Sequence, residues 1–544
     1  MPDSVSGEPL PRAAADALGD EESLRLLAEL VAIAPTNLED PPHGRYEKPN
    51  YRRAADRIVR AARDAGLATR LFDPLTDGPP VPELRGIPRP SVVADLDVGA
   101  DRTVLVLAHY DVVPVPAEQL GRWRSPPHIL TYRSNGRLYG RGSNDDLGSG
   151  VIASLLALRR LGDGPAPPAN VRLVVCCDEE TGGEGGIEQV KAHDDRLPEG
   201  DPSRFLLGDV ALIPDGSPHA TAGSSGLVFL DGDFADGSTL SEAMSLAGRL
   251  IAVHEMARSW RSVYESPDWP DHGAPEPVIT GRATMTKFDL EASGSPPGPA
   301  HLLAAHAETD AANQIAQSVT LVLGGDRSGV ERLGEFLGQT VAPPFRVAPV
   351  AGTALTIPEG ARGVQVVGTS AHGGYPHRGA NPVPETVRLV RAAIDANLLD
   401  PRAAVRPTYS VDLRLVPEMT LAAGRDTVLE ALRADLAPTL PRARVDAPLA
   451  RARRGYALAP DHREARRLEA LCRELFAAPG VFGEYGGTDA SSLIGVRTRD
   501  GDDLPALVFG SMDRDAHIHE AEESADPRAI AKVAQLIERF VRGP

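Results

Sequence analysis

Apolar positions along the chain recur with two periods, and each period predicts a kind of element. Leu24, Leu27, Leu30 and Val31 fall at helical spacing, which predicts a helix over residues 21–34, stopped by Pro35. Ala55, Ile58, Val59 and Ala62 predict another over residues 51–65, closed by Gly66. Residues 1–20, rich in Pro, Ala and Asp, read as a loose lead-in. Four short runs are instead apolar at nearly every position: residues 104–108, 171–177, 210–213 and 505–509. Unbroken apolar runs of this length mark strands buried on both faces of a parallel sheet. Residues 91–96 are also strand-like. Helical spacing returns at residues 464–476 and in a last helix, where Asp526 and Pro527 take the cap and first positions and Ile530, Val533, Ile537 and Phe540 turn inward.

From about residue 222 to 452 the chain changes character and becomes richer in Pro, Gly and Ser. It has its own strand and helix signals at residues 363–367, 382–397, 408–415 and 425–436. This stretch predicts a second α+β domain inserted into the first, so that residues 1–221 and 453–544 form the two parts of one domain. The expected fold class is α/β: a mostly parallel central sheet flanked by helices, with an inserted α+β domain. A faint echo between Ala300-His301 with Asn313 and Ala371-His372 with Asn381 would fit an insert made of two similar halves.

Composition narrows the class. At 544 residues the chain exceeds what one core supports. A formal charge of -19 argues against nucleic acid or an anionic membrane as partner. No segment reaches membrane-spanning length and the N-terminus lacks the apolar core of a signal peptide, so a cytoplasmic enzyme is expected. The three cysteines, Cys176, Cys177 and Cys472, form neither a CxxC pair nor a disulfide framework.

Each buried run ends in reactive side chains. Residues 104–108 lead to His109-Tyr110-Asp111, and residues 171–177 to Asp178-Glu179-Glu180-Thr181-Gly182-Gly183. Residues 210–213 lead to Pro214-Asp215-Gly216, and residues 505–509 to Gly510, Asp513, Asp515, His517, His519 and Glu520. In open α/β sheets, ligands bind at the carboxyl ends of strands. The stretch Leu138-Tyr139-Gly140-Arg141-Gly142-Ser143-Asn144-Asp145-Asp146-Leu147-Gly148 sets two acids among glycines that let backbone approach a bound group. Alone it could be an acidic turn capping a helix. With four strand ends supplying His and carboxylate, it reads as a cation site in which Asp145 is shared by two ions.

His109, Asp145, Glu180, Asp215 and His519 together suit zinc, with cobalt or manganese as substitutes. A shared carboxylate would set the ions about 3.5–4 Å apart. Asp111 is placed to take the other ring N–H of His109. Of the adjacent glutamates, Glu180 is assigned as ligand and Glu179 as general base and acid.

The segments VLAHYDVVPV, Trp123, LYGRGSNDDLG, CDEETGGEGG, IPDG, GTSAHGGYPHRGANP and YGGTDA, with a late His519 followed by Glu523, resemble the dinuclear-zinc aminoacylase and carboxypeptidase family. Its members include acetylornithine deacetylase, succinyl-diaminopimelate desuccinylase, glutamate carboxypeptidases and carnosinase-type dipeptidases. The resemblance implies two Zn2+ per chain, one held by His109, Asp145 and Asp215 and the other by Asp145, Glu180 and His519. His519 is preferred to His517 because the family's ligand has Glu at the fourth following place, here Glu523. It further implies that His372, from the smaller domain, stabilises the tetrahedral oxyanion.

Arg378 and Arg414 are candidates to bind a substrate carboxylate, and Asn381 and Thr488 are candidates for further substrate contacts. The lysine usual two places after the bridging acid is Leu147 here. His372 lies 157 positions beyond Asp215, an enlarged insert similar to that of the dipeptidase branch. A monomer with an enlarged lid is expected, or a homodimer that supplies His372 in trans. The implied activity is hydrolysis of a dipeptide, with deacylation of an N-acyl amino acid as the alternative. The acidic surface and the lack of a phosphate-cradling loop speak against a two-metal phosphohydrolase, and the intact Glu179 against an inactive metal-binding relative.

Overall fold

The unbroken apolar run at residues 104–108 lies at the centre of a sheet, because only a strand covered on both faces can bury every residue. The structure is a computed structural model and describes residues 10–36, 50–78, 88–115, 117–266, 278–294, 299–308, 314–351, 353–372, 379–449 and 452–543. They gather into two compact units. One comprises Met1–Gly223, Ala457–Phe482 and Thr488–Pro544, the other Ser224–Tyr456 and Gly483–Gly487.

In the first unit, strands β1 (Ala68–Phe72), β2 (Ser91–Leu96), β3 (Thr103–His109), β4 (Asn170–Cys176), β5 (Val210–Ile213), β6 (Ala220–Ser224) and β7 (Ala506–Val508) lie in the spatial order β1-β2-β4-β3-β5-β7-β6. The middle four, β4, β3, β5 and β7, are parallel. The outer pairs are antiparallel, so the sheet expected to be mostly parallel is mixed, with its parallel part at the centre. All seven residues of β3 are buried. Because the central strands run the same way, His109 at the end of β3 stands level with Cys176 at the end of β4.

Helices cover this sheet. Ala153–Asp163 packs against Pro527–Arg542, whose first turn is capped by Asp526, the carboxylate accepting the Arg528 N–H at 2.9 Å. Arg12–Leu18 is helical rather than loose, with Ala14 and Leu18 buried, and it packs on the same C-terminal helix. Its two buried positions are too few to show a period in the sequence. Among the described residues no helix is long and apolar enough to cross a membrane.

The second unit is built on an antiparallel sheet in the order Arg346–Pro349, Arg362–Val367, Ser318–Gly325, Ala300–Glu308, Arg282–Ala292, Ala404–Leu415, Gly226–Phe234 and Ala443–Asp446. Helices Leu240–Ala257, Arg327–Thr340, Pro382–Asp395 and Leu421–Leu436 share one apolar core with it. His301 lies in this sheet opposite Gly324. His372 lies on a two-residue strand, Ala371–His372, that pairs with Gln314–Ile315 in a separate small sheet. The two histidines therefore do not occupy equivalent places, and Asn313 lies outside the described residues.

Candidate metal centre

The candidate ligands collect at the carboxyl edge of the parallel strands. β3 delivers His109, which is buried, with Nε2 3.4 Å from Asp145 Oδ1 and 3.9 Å from Asp215 Oδ2. The loop after β7 delivers His519, with Nε2 2.8 Å from Asp145 Oδ2 and 3.0 Å from Glu180 Oε2. Asp145 thus presents one oxygen to each imidazole. The ligand atoms of Asp145, Glu180 and His519 all lie within 4.8 Å of one another, and so do those of His109, Asp146 and Asp215.

Asp146 in that second group is the residue the sequence reading missed. It is fully buried and accepts the His109 N–H at 3.2 Å through Oδ2, while its Oδ1 has no hydrogen-bond partner. The acidic pair itself was visible; which of its members faces His109 and Asp215 was not.

Asp111 does more than stand beside His109, where its Oδ1 is 3.4 Å from Nδ1. Its two oxygens accept the backbone N–H groups of Glu179 and Glu180, both at 3.2 Å. The Asp111 main-chain carbonyl lies 3.1 Å from His109 Nδ1, so this one buried residue ties the imidazole, through its carbonyl, to the short helical turn Glu179–Thr181 that follows β4, through its carboxylate. On the other side, Glu523 is fully buried and its Oε1 accepts the N–H groups of Gly142, Asn144 and Asp145 at 3.0, 3.3 and 3.3 Å. Two glycines allow the Asp145 turn to run straight into its helix. A Cβ at Gly148 would lie 2.1 Å from the Ser143 carbonyl oxygen, and one at Gly150 would lie 1.9 Å from Asp146 Oδ2.

The electrostatics are those of crowded acids. Burial would raise Asp145, but the imidazoles of His109 and His519 outweigh it and hold its carboxyl well below the usual range. Burial pushes Glu180 up to about 7, with the charge of Asp145 adding to the shift. Asp215 is raised by burial and then by Asp145, and Asp146 by burial and then by Asp215. Burial opposes charge on His519, yet Glu180 and Asp145 raise it well above an ordinary histidine. Four carboxylates taken out of water at one place need positive charge among them. His519 Nε2 is buried without a hydrogen bond despite two carboxylate oxygens within 3.0 Å, so those oxygens stand off its N–H direction. Two imidazoles and four carboxylates in this arrangement fit the binding of divalent cations.

Other predicted residues have hydrogen-bond partners of their own. Thr488 is buried at the turn before Asp489–Ser491, and its carbonyl accepts the Ser491 hydroxyl at 2.8 Å. Asn381 caps the helix Pro382–Asp395, accepting the Val383 N–H at 3.0 Å and donating to the Met285 carbonyl at 2.9 Å. Arg414 is buried and grips Asp412 through two bonds of 2.7 and 2.8 Å. Arg378 lies outside the described residues. Leu147 is fully buried beside Gly142.

The sequence pattern of Peptidase family M20/M25/M40 matches residues 105–543. An uncharacterized metallohydrolase of Methanocaldococcus jannaschii is 25% identical over 276 residues, 48% of this chain and 62% of that protein. Succinyl-diaminopimelate desuccinylase of Delftia acidovorans is 47% identical over 85 residues, 15% of this chain and 21% of that one. Human Beta-Ala-His dipeptidase is 28% identical over 254 residues, 43% of this chain and 48% of that one. In each case the shared stretch spans less than two thirds of the relative. The crystal structure of human carnosine dipeptidase 1 has the same fold, with a TM-score of 0.54 and 15% identity over 98% of both chains.

Proposed function

The chain belongs to Peptidase family M20/M25/M40, and from that membership we propose that it hydrolyses the amide bond of a small substrate, a dipeptide or an N-acyl amino acid, at two divalent cations bound around Asp145. The observation that carries this reading is the position of Asp145 between two imidazoles, 3.4 Å from His109 Nε2 and 2.8 Å from His519 Nε2. His109, Asp215 and Asp145, with Asp146 beside them, would hold one cation, and Asp145, Glu180 and His519 the other. The expected content is two Zn2+ per chain, with Co2+ or Mn2+ as substitutes. Such cations supply a Lewis acid for the scissile carbonyl and lower the pKa of water from about 15.7 to about 7.

The chain's own residues do the rest. Glu179 takes the proton of the attacking water and returns it to the leaving nitrogen. Asp111 fixes the main chain of Glu179 and Glu180 together, so the two carboxylates keep separate tasks. His372 is assigned the oxyanion by its place in the family pattern, and Arg378 the substrate carboxylate. Likeness to human Beta-Ala-His dipeptidase and the enlarged insert favour a dipeptide. The stretch shared with a desuccinylase favours an N-acyl amino acid.

A panel of dipeptides and N-acetyl or N-succinyl amino acids, assayed with and without chelator, separates these substrates. Glu179→Gln should keep its metal content and lose at least about 100-fold in kcat. A metal-replete variant that turned over at the parental rate would remove Glu179 from the role of base.

A further inference from the structure

The loop that carries His519 does not hold its shape by backbone preference. His517, His519 and Glu522 have φ of 50°, 63° and 69°, a left-handed region that a non-glycine residue adopts at a cost. Such a loop persists only if something outside it fixes it. Around it stand three arginines, spaced four apart, from the hairpin Thr131–Tyr132 and Leu138–Tyr139 and its continuation. Arg133 pairs with Glu522, one of its bonds being 3.0 Å, and lies 3.7 Å over the Tyr139 ring. Arg137 grips Asp513 through two bonds of 2.7 and 2.8 Å. It also donates to the Ser524 hydroxyl at 2.9 Å and the Ser524 carbonyl at 3.1 Å. Arg141, itself buried, pairs with Glu523 at 2.6 Å.

The three acids bracket His519 on both sides. Glu523 also accepts the N–H groups of the turn that carries Asp145. One charged seam therefore joins the loop that carries His519 to the turn that carries Asp145. We propose that Arg133, Arg137 and Arg141 are positioning residues for the cation held by Asp145, Glu180 and His519. They act through the loop of residues 513–523 and set the affinity of that ion without touching it. The His109 side takes His109 from β3 and Asp215 from the turn after β5, outside this seam. It shares with the seam only the Asp145 turn, which Arg141 reaches through Glu523, so the test is placed at Arg137, which bonds to Asp513 and Ser524 instead.

The proposal rests on the reading of His519 as a ligand, and the test keeps the two apart. Chelator-stripped protein is titrated with zinc by calorimetry, and bound zinc per chain is counted by mass spectrometry. His519→Ala should abolish one of two binding steps. Arg137→Ala should weaken that same step by about 10–100-fold and leave the other within about twofold. Arg137→Lys, which keeps the charge but not the paired bonds, should fall between. Asp513→Asn, at a half-exposed position, should reproduce the loss if Arg137→Ala fails to fold. If His519→Ala keeps both steps, the ligand reading fails. If His519→Ala loses a step while the Arg137 and Asp513 variants keep both at parental affinity, or weaken both equally, the positioning role is overturned and the ligand reading stands.

Discussion

Gly150→Ala should damage the candidate site through a single methyl group. The new Cβ would sit 1.9 Å from Asp146 Oδ2 and 2.3 Å from its Cγ. Asp146 is fully buried, and its carbonyl accepts the Gly150 N–H at 2.9 Å, so neither group has room to move aside. Relieving the overlap requires turning the carboxylate, which breaks its bond from the His109 N–H. Overpacking of this kind costs about 1–3 kcal/mol, and the lost bond about 1 kcal/mol more. Replacing a helical glycine returns about 1 kcal/mol. The net expectation is a loss of about 1–3 kcal/mol, seen as a melting temperature lowered by roughly 1–5 °C in a chain of this size. Because Asp146 groups with His109 and Asp215, zinc affinity should fall by about tenfold as well. Gly162→Ala is the matched control: it lies in the same run of helix, and the nearest atom to its Cβ would be 3.8 Å away. That variant should gain up to about 1 kcal/mol. Thermal melts and zinc counts on both variants decide the matter. A Gly150→Ala protein as stable as Gly162→Ala, with full zinc, would refute the packing argument.

Stripping divalent ions should lower the melting temperature, and adding zinc back should restore it. Ligand held at 1,000 times its Kd contributes about 4 kcal/mol, and an unchanged melt would deny that ions fill the site. Arg414→Met should destabilise the chain by about 3–5 kcal/mol in denaturant titration, because it leaves Asp412 buried without its bidentate partner. Adding Asp412→Leu should recover much of that, and a mild single variant would contradict the pairing. His306 is held above the ordinary histidine range by its bond to Asp289, 2.6 Å away. A raised folded pKa stabilises the fold at pH below the unfolded value and loses that contribution as pH rises through the folded one. An NMR titration should show the raised midpoint, and Asp289→Asn should bring it down; equal midpoints would exclude the pair.

What could be read from the chain alone divides along a physical line. β3, β4, β5 and β7 were visible because strands buried on both faces are apolar throughout, and the side chains beyond them were visible because each follows its strand directly. β1, with only Phe72 buried, offered no such run. Arg414 and Asn381 carried local signals of packing that were open to reading. Asp412 and Arg414 are two apart on one strand and so share a face, and Asn before Pro is a helix cap followed by a first-turn proline. Nothing local marks the arginine seam, because Arg137 and Asp513 are 376 positions apart and Arg133 and Glu522 are 389. The same holds for Asp146, whose neighbour Asp145 has the same chemistry and differs only in direction. Sequence patterns therefore disclose which residues a strand delivers to an edge. The contacts that hold those residues at ligand distance join distant segments, and they appear only once the chain is folded.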